Sequence, residues 1–101
     1  YKSRFADAIK AYDAAIDAEG GEPVFRYNLA LAYEALGHRL HALEREDQPV
    51  PSTYGSYERS DWRSLYRRAA DEMRAYLDMN ANVPNASRVR AKINELRRRA
   101  S

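Results

Sequence analysis

The feature that most constrains this chain is a spacing of 34 residues between two related short segments. Ala8 stands in the segment FADAIKAYDAAIDAEGGEP, and Ala42 stands 34 positions later in the segment LHALERED. Periods of about 20–50 residues are typical of proteins built from stacked units, each of which buries its apolar face against its neighbours. The spacing therefore predicts a repeat architecture, and the 101 residues leave room for a single small domain.

Apolar side chains at intervals of three and four residues predict two helices in the first part of the chain. In residues 3–19 this apolar face consists of Phe5, Ala8, Ile9, Tyr12, Ala15 and Ile16. Residues 23–36 repeat the spacing, so the two helices are expected to form an antiparallel hairpin. Gly20 and Gly21 are expected to turn the chain between them. Gly37 is expected to end the second helix, and a short polar helix is expected over residues 38–47.

The second part of the chain begins with a change of composition. Residues 48–60 are rich in Pro, Ser, Thr and Gly, which predicts an inserted loop. A regular apolar stripe then predicts a helix over residues 61–79, and a last amphipathic pattern predicts a helix over residues 85–100. The sequence thus predicts an all-α chain with about five helices.

Residues 4–37 resemble a tetratricopeptide repeat, a helix–turn–helix unit whose first helix carries W-x2-L-G-x2-Y and whose second helix carries A-x3-F. The residues at the Leu, Gly and Tyr positions of the first helix are Leu29, Ala30 and Tyr33. Arg26 stands where an aromatic residue is usual, and Glu46 stands at a Phe-like position. The resemblance implies antiparallel helical hairpins of the α-solenoid type.

The resemblance also bears on the number of repeats. Residues 3–19 look like a second helix without its first helix, and residues 85–100 resemble the capping helix that ends bacterial repeat proteins. We therefore expect the C-terminal fragment of a longer bacterial protein. Residues 61–79 are either the displaced partner of residues 23–36 or part of a third, degenerate repeat, because Ala69, Met73 and Tyr76 resemble an A-x3-F-x2-A pattern.

The function that the resemblance implies is a non-catalytic scaffold that binds a peptide or protein segment in a concave helical groove. The first helix of each pair lines that groove in tetratricopeptide domains. By this correspondence the peptide-binding residues are Tyr27, Asn28, Leu31, Glu34 and Ala35. Asn28 can donate to and accept from an extended peptide backbone. The alternative is that Asn28 is simply the commonest residue at this position of the repeat and holds no ligand.

Three aromatic residues in and beside the inserted loop form a second candidate interface, because aromatic side chains are frequent interface anchors. These residues are Tyr54, Tyr57 and Trp62. Trp62 also opens the apolar stripe of residues 61–79, so a place in the core is the alternative for this side chain.

Charge is distributed unevenly between the two halves of the chain. Residues 1–50 carry 6 basic and 9 acidic side chains, whereas residues 51–101 carry 11 basic and 6 acidic ones. Such asymmetry favours end-to-end attraction between neighbouring repeats or an anionic partner. The runner-up function is a helical module whose basic C-terminal helix binds nucleic acid or an anionic surface. Aromatic residues that could stack on bases are missing from that helix, so nucleic acid is not the expected partner.

The sequence predicts neither a catalytic site nor a metal site. His38, His41 and Glu44 are spaced to share a helical face, yet two histidines after a helix-ending Gly are ordinarily surface residues. We expect no metal site, no cofactor and no catalytic residue. Cysteine is absent, and no apolar run approaches the ~20 residues that a transmembrane helix needs.

Self-association is a further expectation. A repeat buries its apolar face only against neighbours, and residues 3–19 lack the helix that should cover one side. That side is expected to be apolar and exposed, and a second copy could cover it. The sequence does not indicate the cellular compartment of the protein.

Overall fold

The computed structural model describes residues 4–19, 22–80 and 82–101. They form four α-helices, α1 (Phe5–Glu19), α2 (Pro23–Arg45), α3 (Trp62–Met79) and α4 (Ala86–Ala100), and two short 3₁₀ helices, Ser52–Tyr54 and Arg59–Asp61. No strand occurs in these ranges. The prediction of an all-α chain is therefore confirmed. The expected turn at Gly20 and Gly21 lies outside the described residues.

The predicted helix break at Gly37 is wrong, and the described residues contain four α-helices instead of the expected five. α2 continues through Gly37 for 23 residues, so the predicted short helix over residues 38–47 is the last part of α2. A Cβ atom on Gly37 would lie 3.0 Å from Cε1 of Tyr66 and 3.4 Å from the carbonyl oxygen of Trp62. Gly37 therefore serves the close approach of α3 to α2 and does not stop the helix.

The ends of α2 follow from local chemistry. Pro23 occupies the first turn, where its fixed φ suits the helix and its missing N–H leaves no bond unmade. After Arg45 the backbone of Asp47 adopts a φ of 54°, a left-handed conformation that Asp tolerates better than most residues. The N–H of Gln48 then donates to the carbonyl oxygen of Leu43 over 2.9 Å, which closes the helix end.

Helices α2, α3 and α4 pack side by side with alternating directions. Arg26 on α2 pairs with Glu72 on α3 at 3.0 Å, and at the opposite ends of these helices the rings of His41 and Trp62 are stacked. α3 therefore runs antiparallel to α2 along most of its length. α4 returns along α3, so α2 and α4 run in the same direction and both pack on α3.

The remaining elements cover the outer side of α2. α1 packs against α2 and against the 3₁₀ helix Ser52–Tyr54. Within the inserted loop the ring of Tyr54 meets that of Phe5 edge to face, with 5.8 Å between centroids. The loop is thus part of the packed structure.

The core runs continuously from α1 to α4. Its buried side chains are Ile9, Leu29, Ala30, Tyr33, Leu36, Leu40, Tyr54, Trp62, Leu65, Tyr66, Ala69, Ala70, Met73, Leu77, Ala86, Val89, Ile93, Leu96 and Ala100. Every buried side-chain nitrogen or oxygen of the described residues has a hydrogen-bond partner. No helix in those residues has both the length and the hydropathy needed to cross a bilayer.

Candidate functional site

A groove lies between α2 and α4, on the side where both helices rest on α3. We call it the interhelical groove, and its cavity volume is about 560 Å³. It is lined by Tyr27 and Leu31 of α2, Met73 of α3, Asn85 before α4, and Arg88, Val89, Ala91, Lys92, Glu95 and Arg98 of α4. The α4 residues of the lining span about 15 Å at 1.5 Å per residue.

The floor of the interhelical groove is apolar and one end is closed by aromatic rings. Met73 and Val89 form the floor and are almost fully buried. The rings of Tyr27 and Tyr76 meet with 5.1 Å between centroids, and the hydroxyl of Tyr76 donates to Oδ1 of Asn85 over 3.4 Å. Leu31 stands at the rim and is 41 % exposed.

A set of polar contacts between the helices borders the interhelical groove, and we call it the polar bridge. It consists of Glu34 and His38 on α2, Tyr66 on α3 and Lys92 on α4. Glu34 is only 8 % exposed, and its carboxylate pairs with Nζ of Lys92 and contacts Nε2 of His38 at 3.3 Å. Nδ1 of His38 lies 2.6 Å from the hydroxyl of Tyr66. The bridge therefore connects all three helices.

The positions of the protons in the polar bridge follow from which groups can donate a hydrogen bond and which can only accept one. A carboxylate only accepts, so in the neutral imidazole of His38 the Nε2 atom carries the proton and donates to Glu34. Nδ1 then accepts from the hydroxyl of Tyr66. Burial raises the pKa of Tyr66, which keeps that hydroxyl protonated. The hydrogen bond to Glu34 raises the pKa of Lys92, so its ammonium stays charged beside a nearly buried carboxylate.

The α4 wall of the interhelical groove is cationic. Glu95 is shared between Lys92 at 3.7 Å and Arg99 at 3.0 Å, and the charge of Lys92 is the main cause that lowers the pKa of Glu95. Arg88 and Arg98 are exposed, and their guanidinium groups make no hydrogen bond or ion pair with any residue that the structure describes. Two guanidinium groups thus remain available beside an apolar floor.

The predicted peptide-binding residues divide into three groups. Tyr27 and Leu31 line the interhelical groove. Glu34 lies in the polar bridge, where its carboxylate is occupied. Asn28 and Ala35 are half-buried on α2 and do not line the groove.

The sequence did not predict the α4 wall as part of the peptide groove. The basic cluster of the last helix was predicted only as an alternative surface for nucleic acid or another anionic partner. Arg88, Lys92 and Arg98 belong to that cluster, and each lines the interhelical groove.

The second candidate interface is corrected by the packing of its members. Tyr54 is 4 % exposed and Trp62 is 8 % exposed, so the chain itself covers both rings. Trp62 stacks on His41 with 3.8 Å between centroids, and its Nε1–H donates to Oε1 of Glu44 over 2.8 Å. Tyr57 is half-buried. Tyr54 lies in the core because the 3₁₀ helix Ser52–Tyr54 packs against α1.

The three side chains considered for a metal site have other partners. His38 belongs to the polar bridge, His41 stacks on Trp62, and Glu44 accepts from the indole of Trp62. Within the ranges that the structure describes, no three His, Cys, Asp or Glu side chains form a group that could hold a metal ion.

The outer face of α1 differs from the expected apolar surface. The large side chains of this helix, Phe5, Ile9, Tyr12 and Ile16, contribute to the core. Its exposed apolar residues are small, namely Ala11, Ala14 and Ala18. Self-association through this face stays a prediction.

Comparisons with known proteins do not place the chain in a family. No family model matches it, and no curated protein or solved structure matches it either. The resemblance to tetratricopeptide repeats therefore stays a hypothesis.

Proposed function

We propose that this chain is a non-catalytic protein-interaction module that binds a peptide segment of a protein partner in the interhelical groove. The observation that carries this proposal is the open, apolar-floored channel between two parallel helices, with Leu31 exposed at its rim. Concave sites with an apolar floor and a few polar groups are where proteins ordinarily bind ligands. A large exposed Leu beside such a floor is suited to cover an apolar anchor of a partner.

We further propose that the fold is of the tetratricopeptide type. In this assignment α2 and α4 act as first helices, α3 acts as the second helix between them, and α1 is a second helix from the preceding repeat. Three features support it: α3 is antiparallel to α2, α4 is parallel to α2, and the groove lies between the two first helices. Residues 61–79 are then the displaced partner of residues 23–36, separated from them by the inserted loop.

The chemistry of the lining residues supports binding over catalysis. Glu95 is the one carboxylate among the lining residues, and cations on both sides lower its pKa. A carboxylate held in its charged form is a poor general acid, and a lowered pKa also makes it a weak base. Arg88 and Arg98 supply charge without a proton to transfer near neutral pH. These groups are suited to recognition.

The competing function is binding of nucleic acid or an anionic surface by the basic α4. Lys92 and Arg99 are already paired with carboxylates of this chain, which reduces the charge available to phosphates. Nucleic-acid binding of this kind would lose affinity steeply with added salt, because bound cations are released from the polyanion. Peptide binding anchored by Leu31 would depend much less on salt.

A matched pair of substitutions tests the proposed function. Leu31 and Val24 are both exposed apolar residues of α2, but only Leu31 lines the interhelical groove. Peptides would be selected from a random displayed library on the wild-type chain and their affinities measured by calorimetry. We expect Leu31→Arg to lower the affinity for the selected peptides by about tenfold or more. Val24→Arg should change that affinity by less than about twofold.

Two results would overturn the proposal. One is a selection that yields no peptide above background. The other is a set of peptides whose affinities respond equally to Leu31→Arg and Val24→Arg. Circular dichroism of both variants would verify that each keeps the helical fold before binding is compared.

A further inference from the structure

We propose that the occupant of the interhelical groove is an acidic amphipathic helix of a partner protein, whose apolar face covers Leu31 and Met73 and whose carboxylates pair with Arg88 and Arg98. This inference rests on the proposed function and names the chemistry of its partner. It depends on three observations: the charge of the α4 wall, the spacing of its free cations and the scarcity of groups that could pair with an extended backbone.

The charge of the groove favours an acidic partner. Of the four ionisable residues on the α4 wall, Lys92 and Glu95 have partners within the chain, whereas Arg88 and Arg98 have none among the described residues. Guanidinium groups bind carboxylates through two parallel hydrogen bonds. An acidic segment would therefore complete the wall, and a basic segment would meet two uncompensated cations.

The spacing of Arg88 and Arg98 sets a length for the partner. They lie ten positions apart on α4, which corresponds to about 15 Å along the helix axis. A helical partner lying along the groove would meet both cations with acidic side chains about ten residues apart. Between those positions, apolar side chains spaced by three and four residues would face the floor formed by Met73 and Val89.

A helical partner is favoured because the groove offers little to an extended backbone. Among its polar lining groups, the amide of Asn85 accepts from Tyr76, and Lys92 and Glu95 are engaged in ion pairs. An extended peptide would leave its inward N–H and C=O groups facing an apolar floor, which is unfavourable. A helix satisfies its backbone groups internally and can present a purely apolar face.

Nucleic acid fits the same surface less well. The aromatic residue that lines the groove, Tyr27, is packed against Tyr76, so no free ring is available there for base stacking. The two free cations also flank an apolar floor, which a phosphate backbone would not use.

The test uses three synthetic helical peptides of about 16 residues with one common apolar face. The first carries two Glu residues about ten positions apart, the second carries Gln at the same positions, and the third carries Lys. Arg88→Glu and Arg98→Glu reverse the free cations of the groove wall. Arg90→Glu is the matched control, because Arg90 is an exposed residue of α4 that does not line the groove.

We expect the Glu peptide to bind the wild-type chain about tenfold more tightly than the Gln peptide. Arg88→Glu and Arg98→Glu should each remove most of this preference and improve binding of the Lys peptide. Arg90→Glu should change each affinity by less than about twofold.

The remaining outcomes overturn the inference in distinguishable ways. Equal binding of the Glu and Gln peptides, still lost on Leu31→Arg, would reject the acidic partner and keep the proposed function. If none of the three peptides binds and the library selection yields no peptide, both the acidic partner and the proposed function are rejected. Self-association detected by sedimentation and abolished by Arg88→Glu would identify a second copy as the occupant.

Discussion

The ring of Tyr66 lies directly against the backbone of Gly37, so that a Cβ atom at this position would be 3.0 Å from Cε1 and 3.1 Å from Cδ1 of the ring. The ring has little freedom to move, because Tyr66 is almost fully buried and its hydroxyl bonds to His38 over 2.6 Å. At this level of the helix pair, the absence of a Cβ atom on Gly37 lets α3 approach α2 closely.

Gly37→Ala should destabilise the chain although Ala favours helices. Replacing Gly by Ala in a helix interior stabilises it by about 1 kcal/mol, but overpacking against a buried ring costs about 1–3 kcal/mol. We expect a net loss of roughly 1 kcal/mol in the free energy of unfolding, measured by urea denaturation. In Gly37→Ala combined with Tyr66→Leu, the added methyl group should cost less than it does alone. A Gly37→Ala chain more stable than wild type would refute this role for Gly37.

Tyr54→Ala should destabilise the chain, because Tyr54 packs in the core between the inserted loop and α1. Removing a buried aromatic side chain costs about 3–5 kcal/mol in well-packed cores. We expect a loss of about 2–4 kcal/mol, less than the maximum because Phe5 is itself half-buried and can shift. Thr53→Ala, at an exposed neighbouring position, is the control. Unchanged unfolding of Tyr54→Ala would return Tyr54 to the list of candidate interface residues.

Helix type and approximate position were predictable from the sequence because each helix keeps its apolar residues on one face. Periodicity did not mark Tyr27 and Leu31 as groove residues. They were predicted from the resemblance to tetratricopeptide repeats, and both line the interhelical groove. Burial of Trp62 was also predictable, because this residue is the first in the regular apolar stripe of residues 61–79.

Other features of the fold and of the groove could not be predicted, because they depend on contacts between residues that are distant in the sequence. Gly37 satisfies the local rule for a helix end, and only the approach of Tyr66 explains why the helix continues. Arg88 and Arg98 face the interhelical groove because α4 packs on the same side of α3 as α2, a relation that periodicity alone does not contain. The partners of Glu34 are likewise fixed by tertiary packing.

Lys92→Met should destabilise the chain by leaving Glu34 with His38 as its remaining partner in the polar bridge. Breaking a fully buried ion pair costs about 3–5 kcal/mol. The side chain of Lys92 is 35 % exposed, so water screens the pair, and we expect about 1–2 kcal/mol. Arg90→Met serves as the control, because Arg90 is exposed on the same helix. Equal unfolding free energies for the two variants would show that Glu34 does not depend on Lys92.

The same ion pair should contribute to stability at neutral pH and disappear in strong alkali. The pKa of Lys92 is raised above its ordinary value of 10.5 by the hydrogen bond to Glu34. The folded chain therefore holds this proton more tightly than the unfolded chain does, and the stabilisation is complete below pH 10.5 and lost as the pH rises through the folded pKa. The pKa of Tyr66 is also raised, so this residue too contributes stability that is lost as the pH rises. The difference between wild type and Lys92→Met should shrink with rising pH, and a constant difference would contradict the assignment.

His41 should make the chain less stable in mild acid. Burial lowers the pKa of His41 below its ordinary value of 6.5, and the charge of Arg45 lowers it further. As the pH falls through 6.5 the unfolded chain takes up a proton that the folded chain resists, because burial and the charge of Arg45 disfavour the charged imidazole. Stability from this residue is therefore complete above pH 6.5 and is lost as the pH falls toward the folded pKa. His41→Phe keeps a flat ring against Trp62 and removes the titration. Urea denaturation at about pH 7.5 and 5.5 should show a smaller loss of stability for His41→Phe than for wild type, and equal losses would exclude His41 as the source.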